Sequence, residues 1–567
     1  MNEKNEDYQQ IYDRADDVMM TEEPAQKARY FKTLGLSSFI YAVIYTICMF
    51  QNSSGITMPV WVGATILYAC QVMKALYIAG EDIAVEEQEE KDAKVQQKEF
   101  HLKAGSRIYI VIMLLLGIST FLTDNDFIII CNYFGFFMML PAFLLHNYYD
   151  DSKWKFGKNL TEIAASIFGA ISCMLTPFSD ANAFWKEKKQ RENKTVRAVL
   201  VGIAIAAPCV LLLGACLADA DAIFQNLVER MFSGLRIPMN VFQIFLMLLF
   251  GFFSAYCGMR FLALHSRNEE KREIRKLEPI IAVTFTGVLA VMYLIFCGIQ
   301  IVYLFAGHMR PLPGMTYASY ARSGFFQLLF VSIVNFVMVL VIHKYFDHRK
   351  VLDLMLLVIC ACTFVMIASS AYRMILYIDT YHLTFLRVLV LAALAALTFL
   401  TIGAVCSLFR TNFPLFRYSM IVVSVVYLTF SFSHVDYFIA SYNLAQIEGD
   451  GSNVDWWYLG SMSMDAAPAI ADYYAKAPAG VQTRMDQYAV LAKYWAEDEG
   501  TYDMDGKGDA KIEKLLMEVQ AETGDEGWFG DYMQKMCEIE KNLGWRNFNV
   551  SRYRAVQLLM AHYQNFP

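Results

Sequence analysis

The side chains best placed to do chemistry in this sequence are charged residues at the ends of long apolar runs. Asp219 and Asp221 (LADADAIF), His308 and Arg310 (FAGHMRPLPG), and Tyr320 and Arg322 (YARSGFFQ) form three such sets. Arg373, Asp379 and His382 (YRMILYIDTYH) form a fourth, and His434 with Asp436 a fifth. Carboxylates and guanidiniums in this setting can do one of two things. Arg322 and Arg373 can pair with Asp219, Asp221 or Asp379 and fasten helices together. Alternatively, the two arginines can hold a small anionic ligand in an outward-facing site that also draws on Arg310, Tyr320 and the same acids. The sequence leaves both readings open, and fastening is the commoner outcome.

Other chemistry finds little support. There is no GxxxxGK[ST] loop, HExxH helix, CxxC pair or GxSxG elbow. Cys360 and Cys362 would point about 200° apart on a helix and make poor joint metal ligands. The stretch TYDMDGKGDAKIEK (501–514) suggests a calcium loop, with Asp503, Asp505 and Gly506 in register, but Ile512 stands where a bidentate Glu is required. No catalytic residue, metal or cofactor is therefore expected, and an enzyme is the less favoured reading.

Stepping outward, the elements that position these charges must be membrane helices. The chain has 567 residues, of which 56% are hydrophobic and 18% charged, with a net charge of −7. Soluble domains run near ~45–50% apolar and ~25% charged. This composition excludes a nucleic-acid partner and an ordinary soluble enzyme. Eleven stretches are long and apolar enough to cross a bilayer: about 33–50, 58–79, 108–123, 127–146, 198–218, 239–259, 279–304, 324–343, 351–371, 388–408 and 418–436. They lack the alternation of barrel strands, so helices are expected. About thirty polar residues precede the first run, which has no small-residue cleavage site and reads as an anchor.

Cations set the threading. The tail 1–32 and alternate loops carry 30 of the 48 lysines and arginines, and the intervening loops carry 6. The rich side is expected to be cytoplasmic, placing the N-terminus inside and the C-terminus outside the membrane. The expected organisation is a cytoplasmic tail 1–32, then four spans in 33–146 with a charged cytoplasmic loop at 80–107. A cytoplasmic segment 147–197 follows, then seven spans in 198–436. Residues 160–178, holding Glu162 between basic flanks, are read as an amphipathic helix on the inner surface, with Trp154 and Trp185 at headgroup level. Residues 437–567 hold 20 acidic and 11 basic residues with apolar positions at helical spacing, and predict a soluble acidic helical domain. Trp456, Trp457, Trp495, Trp528 and Trp545 are its expected core anchors. The fold class is all-α.

Several of these stretches occur together in one known group. YARSGFFQLLFVSIVN (320–335), LADADAIF (217–224), YRMILYIDTYHLTFLRV (372–388), ASYNL (440–444) and WRNFNVSRYRA (545–555) resemble hallmarks of a bacterial multi-span membrane family known only as domain of unknown function 4153/4173. The resemblance covers roughly residues 195–567. It implies a polytopic fold in the bacterial plasma membrane and brings no substrate, activity or cofactor. It adds weight to Asp219, Asp221, Tyr320, Arg322, Arg373 and Asp379, which fall inside its motifs. The expected function is a non-enzymatic envelope protein that senses, scaffolds or binds a ligand. Its expected partners are the bilayer, an envelope or cytoplasmic protein, and a small anion. A transporter is the alternative, followed by an enzyme of lipid-linked glycans.

Overall fold

Apolar runs of roughly twenty residues can satisfy their backbone in lipid only by coiling, and in the computed structural model every described run is an α-helix. The structure describes residues 24–88, 101–149, 151, 154, 156–188, 202, 206, 239–265, 277–302, 324–346, 350–410, 413–447, 454–497 and 527–560. In chain order the first helices are α1 (Pro24–Met49), α2 (Thr57–Gln88), α3 (Ser106–Leu122), α4 (Asp126–Tyr148), α5 (Phe156–Ser172) and α6 (Thr176–Lys188). Next come α7 (Met239–His265), α8 (Pro279–Gln300), α9 (Phe325–Tyr345), α10 (Lys350–Tyr381), α11 (Phe385–Phe409) and α12 (Leu415–Phe432). Among the described residues nine helices are long and apolar enough to cross a membrane. The 17-residue α3 runs between α2 and α4, about 25 Å long at 1.5 Å per residue. Ten of the eleven expected stretches thus fall on described helices, and 198–218, apart from residues 202 and 206, lies outside the described residues.

The chain runs back and forth between two ends of one bundle. At one end lie the turns 50–56, 123–125, 382–384 and 433–434, and the C-terminal helices pack against them. At the other end Leu277 pairs with Phe346, and Arg417 reaches Asp151. Several boundaries differ from expectation, and two of them bear on the charged residues. The helix α10 runs ten residues past 371, so Arg373 and Asp379 sit on a helix rather than beyond one. The last span stops at Phe432 because His434 adopts a left-handed backbone, and Asp436 opens a new helix, α13 (Val435–Ala445).

On α8 small and polar residues turn inward and large apolar ones outward, as lipid that already solvates large apolar side chains allows. On α8 the buried positions are Pro279, Ala282, Thr286, Ala290, Tyr293, Cys297 and Gln300, while Phe285, Val288, Val291 and Ile295 face outward. Polar side chains tie these inner stripes together. Tyr293 donates to Asn335 Oδ1 at 2.8 Å, and Asn335 Nδ2 donates to Thr363 Oγ1 at 3.1 Å, joining α8, α9 and α10. Asn132 does the same for α3, α4 and α12: it donates to Ser119 and Thr120 and accepts from Tyr427 at 2.7 Å.

The segment expected as one interfacial helix over 160–178 is instead two helices, α5 and α6, bent by 58° at residues 173–175. Pro177 has no N–H to continue the ladder, and Thr176 turns its hydroxyl onto the Cys173 carbonyl at 2.7 Å. Phe156 meets Phe416, and Phe184 meets Phe31, so the pair begins and ends against the same end of the bundle. A buried ion pair secures it. Arg260 Nε donates to Asp180 Oδ2 at 3.0 Å, Tyr256 donates to the same oxygen at 2.8 Å, and the Arg260 guanidinium stacks over Tyr30. Removing one partner of such a pair costs about 3–5 kcal/mol. Asp180→Ala is therefore expected to lower the thermal midpoint of the purified protein sharply, and Asp180→Glu to recover part of the loss.

Candidate functional site at the domain junction

Downstream of α13 the chain builds α14 (Trp456–Ser461), a single turn at Met464–Ala466, α15 (Ala467–Lys476), α16 (Ala479–Glu497), α17 (Gly527–Lys541) and α18 (Val550–Met560). Their common core holds Met485, Ala489, Phe529, Met533 and Met536. Trp456 stacks on Trp528 with ring centroids 5.6 Å apart, as two core anchors should. Trp457 and Trp545 do not serve as anchors: they are 77% and 74% exposed, because each faces away from the helices that enclose this core. The side chain of Trp495 and the calcium-like stretch 501–514 lie outside the described residues.

Where these helices meet the bundle, three carboxylates are buried together. Asp124 lies in the turn between α3 and α4, Asp436 in the first turn of α13, and Asp465 in the turn before α15. Asp465 accepts from the Asp124 backbone N–H at 3.0 Å and from the hydroxyl of Thr123. Asp124 accepts from the Met464 backbone N–H at 3.2 Å and pairs with the guanidinium of Arg552. Asp436 accepts from Asn125 Nδ2 at 2.8 Å and from the Ser463 hydroxyl. A carboxylate in the first turn of a helix also gains from the helix dipole. Tyr532 closes the cluster by donating to the Ser463 carbonyl at 3.0 Å.

The stretch WRNFNVSRYRA extends this junction to α1 and α2. Asn549 donates to the carbonyls of Thr123 at 2.8 Å and Ser54 at 3.2 Å. Arg546 donates to the Phe50 carbonyl at 2.6 Å, and the Phe548 carbonyl accepts from the Ile56 N–H at 3.0 Å. Only a glycine fits at position 55, since a Cβ there would stand 2.2 Å from the Arg546 carbonyl oxygen. Nearby, Asn443 and Leu383 exchange two hydrogen bonds of 2.9 and 3.0 Å, and the Phe385 N–H donates to Tyr458.

Electrostatically the junction holds more carboxylates than cations. Burial pushes both Asp124 and Asp465 above the ordinary carboxylate value, against the pull of Arg552 on Asp124 and of the Ser551 and Thr123 hydroxyls on Asp465. Burial also drives the Tyr532 phenol well upward, reinforced by the three neighbouring carboxylates. The carboxylate oxygens are engaged by protein donors, so the chemistry here is fastening. Among the described residues no group of His, Cys, Asp and Glu is arranged to hold a metal ion.

At the opposite end a second cluster has the outline of a catalytic dyad. His146 Nδ1 lies 2.8 Å from Asp151 Oδ2, and Arg417 reaches Asp151 Oδ1 at 2.9 Å. The His146 ring is 3% exposed, and its Nε2 faces Gly105, where a Cβ would come within 2.6 Å. No substrate can reach it, and the cluster works as a clasp. Burial opposes ionisation of Asp151, but the His146 hydrogen bond and the charges of His146, Arg417 and Lys103 outweigh it and hold this carboxyl below its usual value.

A family model described as Domain of unknown function (DUF4153) matches residues 110–473. The chain belongs to this family. No curated protein and no solved structure matches the chain. The DUF4153 match takes in α3 and α4, upstream of the 195–567 expected from the motifs, and stops short of WRNFNVSRYRA. Asp124, Asp436 and Asp465 lie inside the matched stretch, and their partners Ser551 and Arg552 lie beyond it.

Of the seven site residues read from the sequence of this DUF4153 member, Asp219, Asp221, Arg310, Tyr320 and Arg322 lie outside the described residues. Arg373 is buried at the end of α10 nearest the C-terminal helices, where its Nη2 donates to Gln300 Oε1 at 3.3 Å. The same oxygen accepts from Ser369 at 2.7 Å. Arg373 Nη1 also crowds Gly324, whose φ of 98° marks the turn into α9. Asp379 is exposed, six residues and about 9 Å further along α10, so the helix does not bring the two together. The sequence reading noted Asp436 and missed Asp124 and Asp465. The one signal for Asp124 was the polar run TDND in a turn between two spans, too short to carry an acid away from the bundle.

Two predictions follow from this geometry. Gly55→Ala is expected to displace the 545–553 segment, read as faster proteolysis and hydrogen exchange there with the spans unchanged. A raised carboxyl favours the protonated folded form, so its stabilisation is full below the unfolded value and is lost as pH rises through the folded one. The thermal midpoint of the C-terminal helices should therefore rise as the pH is lowered from neutrality toward the ordinary carboxylate range, and Asp465→Asn should flatten that slope.

Proposed function

We infer that this chain is a bacterial plasma-membrane protein, with its N-terminus in the cytoplasm and its C-terminal helical domain outside, acting as a non-enzymatic sensor or scaffold. The observation that carries this reading is the junction of Asp124, Asp436 and Asp465. It joins the C-terminal helices directly to the turns between α1 and α2, α3 and α4, and α12 and α13. A partner or ligand that shifts those helices would thereby shift the ends of the spans through these contacts.

The cation distribution supports the orientation. Lys103, Lys158, Lys344 and Arg417 gather at the end away from the C-terminal helices, while 50–57 and 123–126 contain no lysine or arginine. Trp457, 77% exposed on the far side of its helix from the core, suits a protein partner. The anionic-ligand reading of Asp219, Asp221, Arg310, Tyr320, Arg322, Arg373 and Asp379 draws support from Arg373 lying against Gly324, two residues after Arg322.

Orientation is tested by labelling. Cys537 is itself buried, so the exposed Glu538 is the position to use. Glu538→Cys is expected to react with a membrane-impermeant maleimide on intact cells above the wild-type background, and labelling only after lysis would reverse the topology. A photocrosslinker at Trp457 is expected to capture a neighbouring protein in cells. Adducts to lipid alone would remove the scaffold reading.

A further inference from the structure

Between the ends of α1 and α2 and the stretch 543–553 lies an open groove of about 740 Å³, within the roughly 300–1,000 Å³ typical of ligand clefts. Its walls are apolar on every side: Ile47 from α1, Ile56 and Val60 bordering α2, and Trp545, Phe548 and Tyr553 from the C-terminal segment. The hydroxyl of Thr57, which also lines it, is turned away onto the Cys48 carbonyl at 3.0 Å. Phe548 is held by ring contacts to Phe121 at 6.1 Å and Tyr553 at 5.2 Å, so this wall is rigid.

What covers the groove follows from where its floor leads. Leu36, Ile40 and Ile47 stand on one face of α1, and Val60 and Leu67 on one face of α2, all exposed. These stripes form outer surfaces of two helices that cross the membrane, and the groove is their continuation past the helix ends. It therefore opens onto hydrocarbon rather than onto water. Trp545, 74% exposed, stands over it where the spans end, the level at which an indole prefers to sit in a bilayer. Beside it Arg546, bound to the Phe50 carbonyl and 5.9 Å from the Phe50 ring, holds a fixed cation at the same ends of α1 and α2.

We propose that this groove binds the acyl chain of a membrane phospholipid, which rises along the α1 and α2 stripes and ends beneath Trp545. The site rests on the membrane placement of α1 and α2 and is independent of which side the C-terminal helices occupy. The lipid completes the contact between the 543–553 stretch and the bundle by covering apolar surface that the protein leaves open. An acyl chain over these side chains removes their apolar surface from water, which explains why a sequence would keep Trp545 and Tyr553 outward.

The test uses the full chain reconstituted in phosphatidylcholine vesicles that carry phosphatidylcholine with a diazirine at the end of one acyl chain. After irradiation, adducts mapped by mass spectrometry are expected to concentrate on 543–553 and the adjoining ends of α1 and α2, above their frequency on the lipid-facing surface of α8. Val60→Trp, which fills the groove with a side chain compatible with lipid, is expected to abolish the 543–553 adducts while the adducts on α8 persist. Tryptophan quenching by lipids brominated along the acyl chain is expected to fall in Trp545→Phe, a change that preserves the apolar wall. Adducts on 543–553 no more frequent than on α8, or unchanged in Val60→Trp, would overturn the proposal. So would a Trp545 signal quenched by aqueous iodide and not by brominated lipid.

Discussion

A backbone amide in hydrocarbon has no solvent to bond to, and this constraint organises most of the molecule. It turns each apolar run into a helix and removes the usual reason for large side chains to turn inward. The inner stripe of α8 accordingly carries Ala282, Thr286 and Ala290 while Phe285, Val288 and Ile295 face out, and that of α9 sets Ser332 and Asn335 among Leu328, Val339 and Ile342. Specific pairing then falls to a few polar side chains, Asn132 and Asn335 among them, each linking three helices.

The two ends of the bundle solve a different problem, because turns expose backbone that the helices do not satisfy. At one end the C-terminal helices supply the missing partners. Asn549 covers the carbonyls of Ser54 and Thr123, Arg546 covers that of Phe50, and Asp465 receives the N–H of Asp124. Strained backbone collects at the same end: Gln51, His382 and His434 all hold positive φ. The junction is polar and specific, whereas the spans are apolar and permissive. A displacement of the C-terminal helices would therefore reach the spans through this end.

The spans were legible because a run of twenty apolar residues has one stable answer in lipid. A polar side chain inside a span must find a neighbour, and Asn132, Asn335 and Gln300 do so across helices, while Gln243 is exposed on α7. Asp124 and Asp465 were not legible. Each sits in an ordinary polar turn, and the partners that bury them, Arg552 and Thr123, are 428 and 342 residues away. The break at residues 173–175 was also hidden, because composition over 160–178 reads as one amphipathic stretch and only the contacts of α5 and α6 reveal the bend.

Sequence alone determined the solvent, the helices, their alternation and the membership of an acidic helical segment at the C-terminus. These follow from composition and run length, which act locally and add along the chain. Tertiary structure decided which end of the bundle the C-terminal helices occupy, which acids are buried together, and that Trp545 stands over a groove instead of inside a core. Those outcomes depend on contacts between residues hundreds of positions apart, and no local preference encodes them.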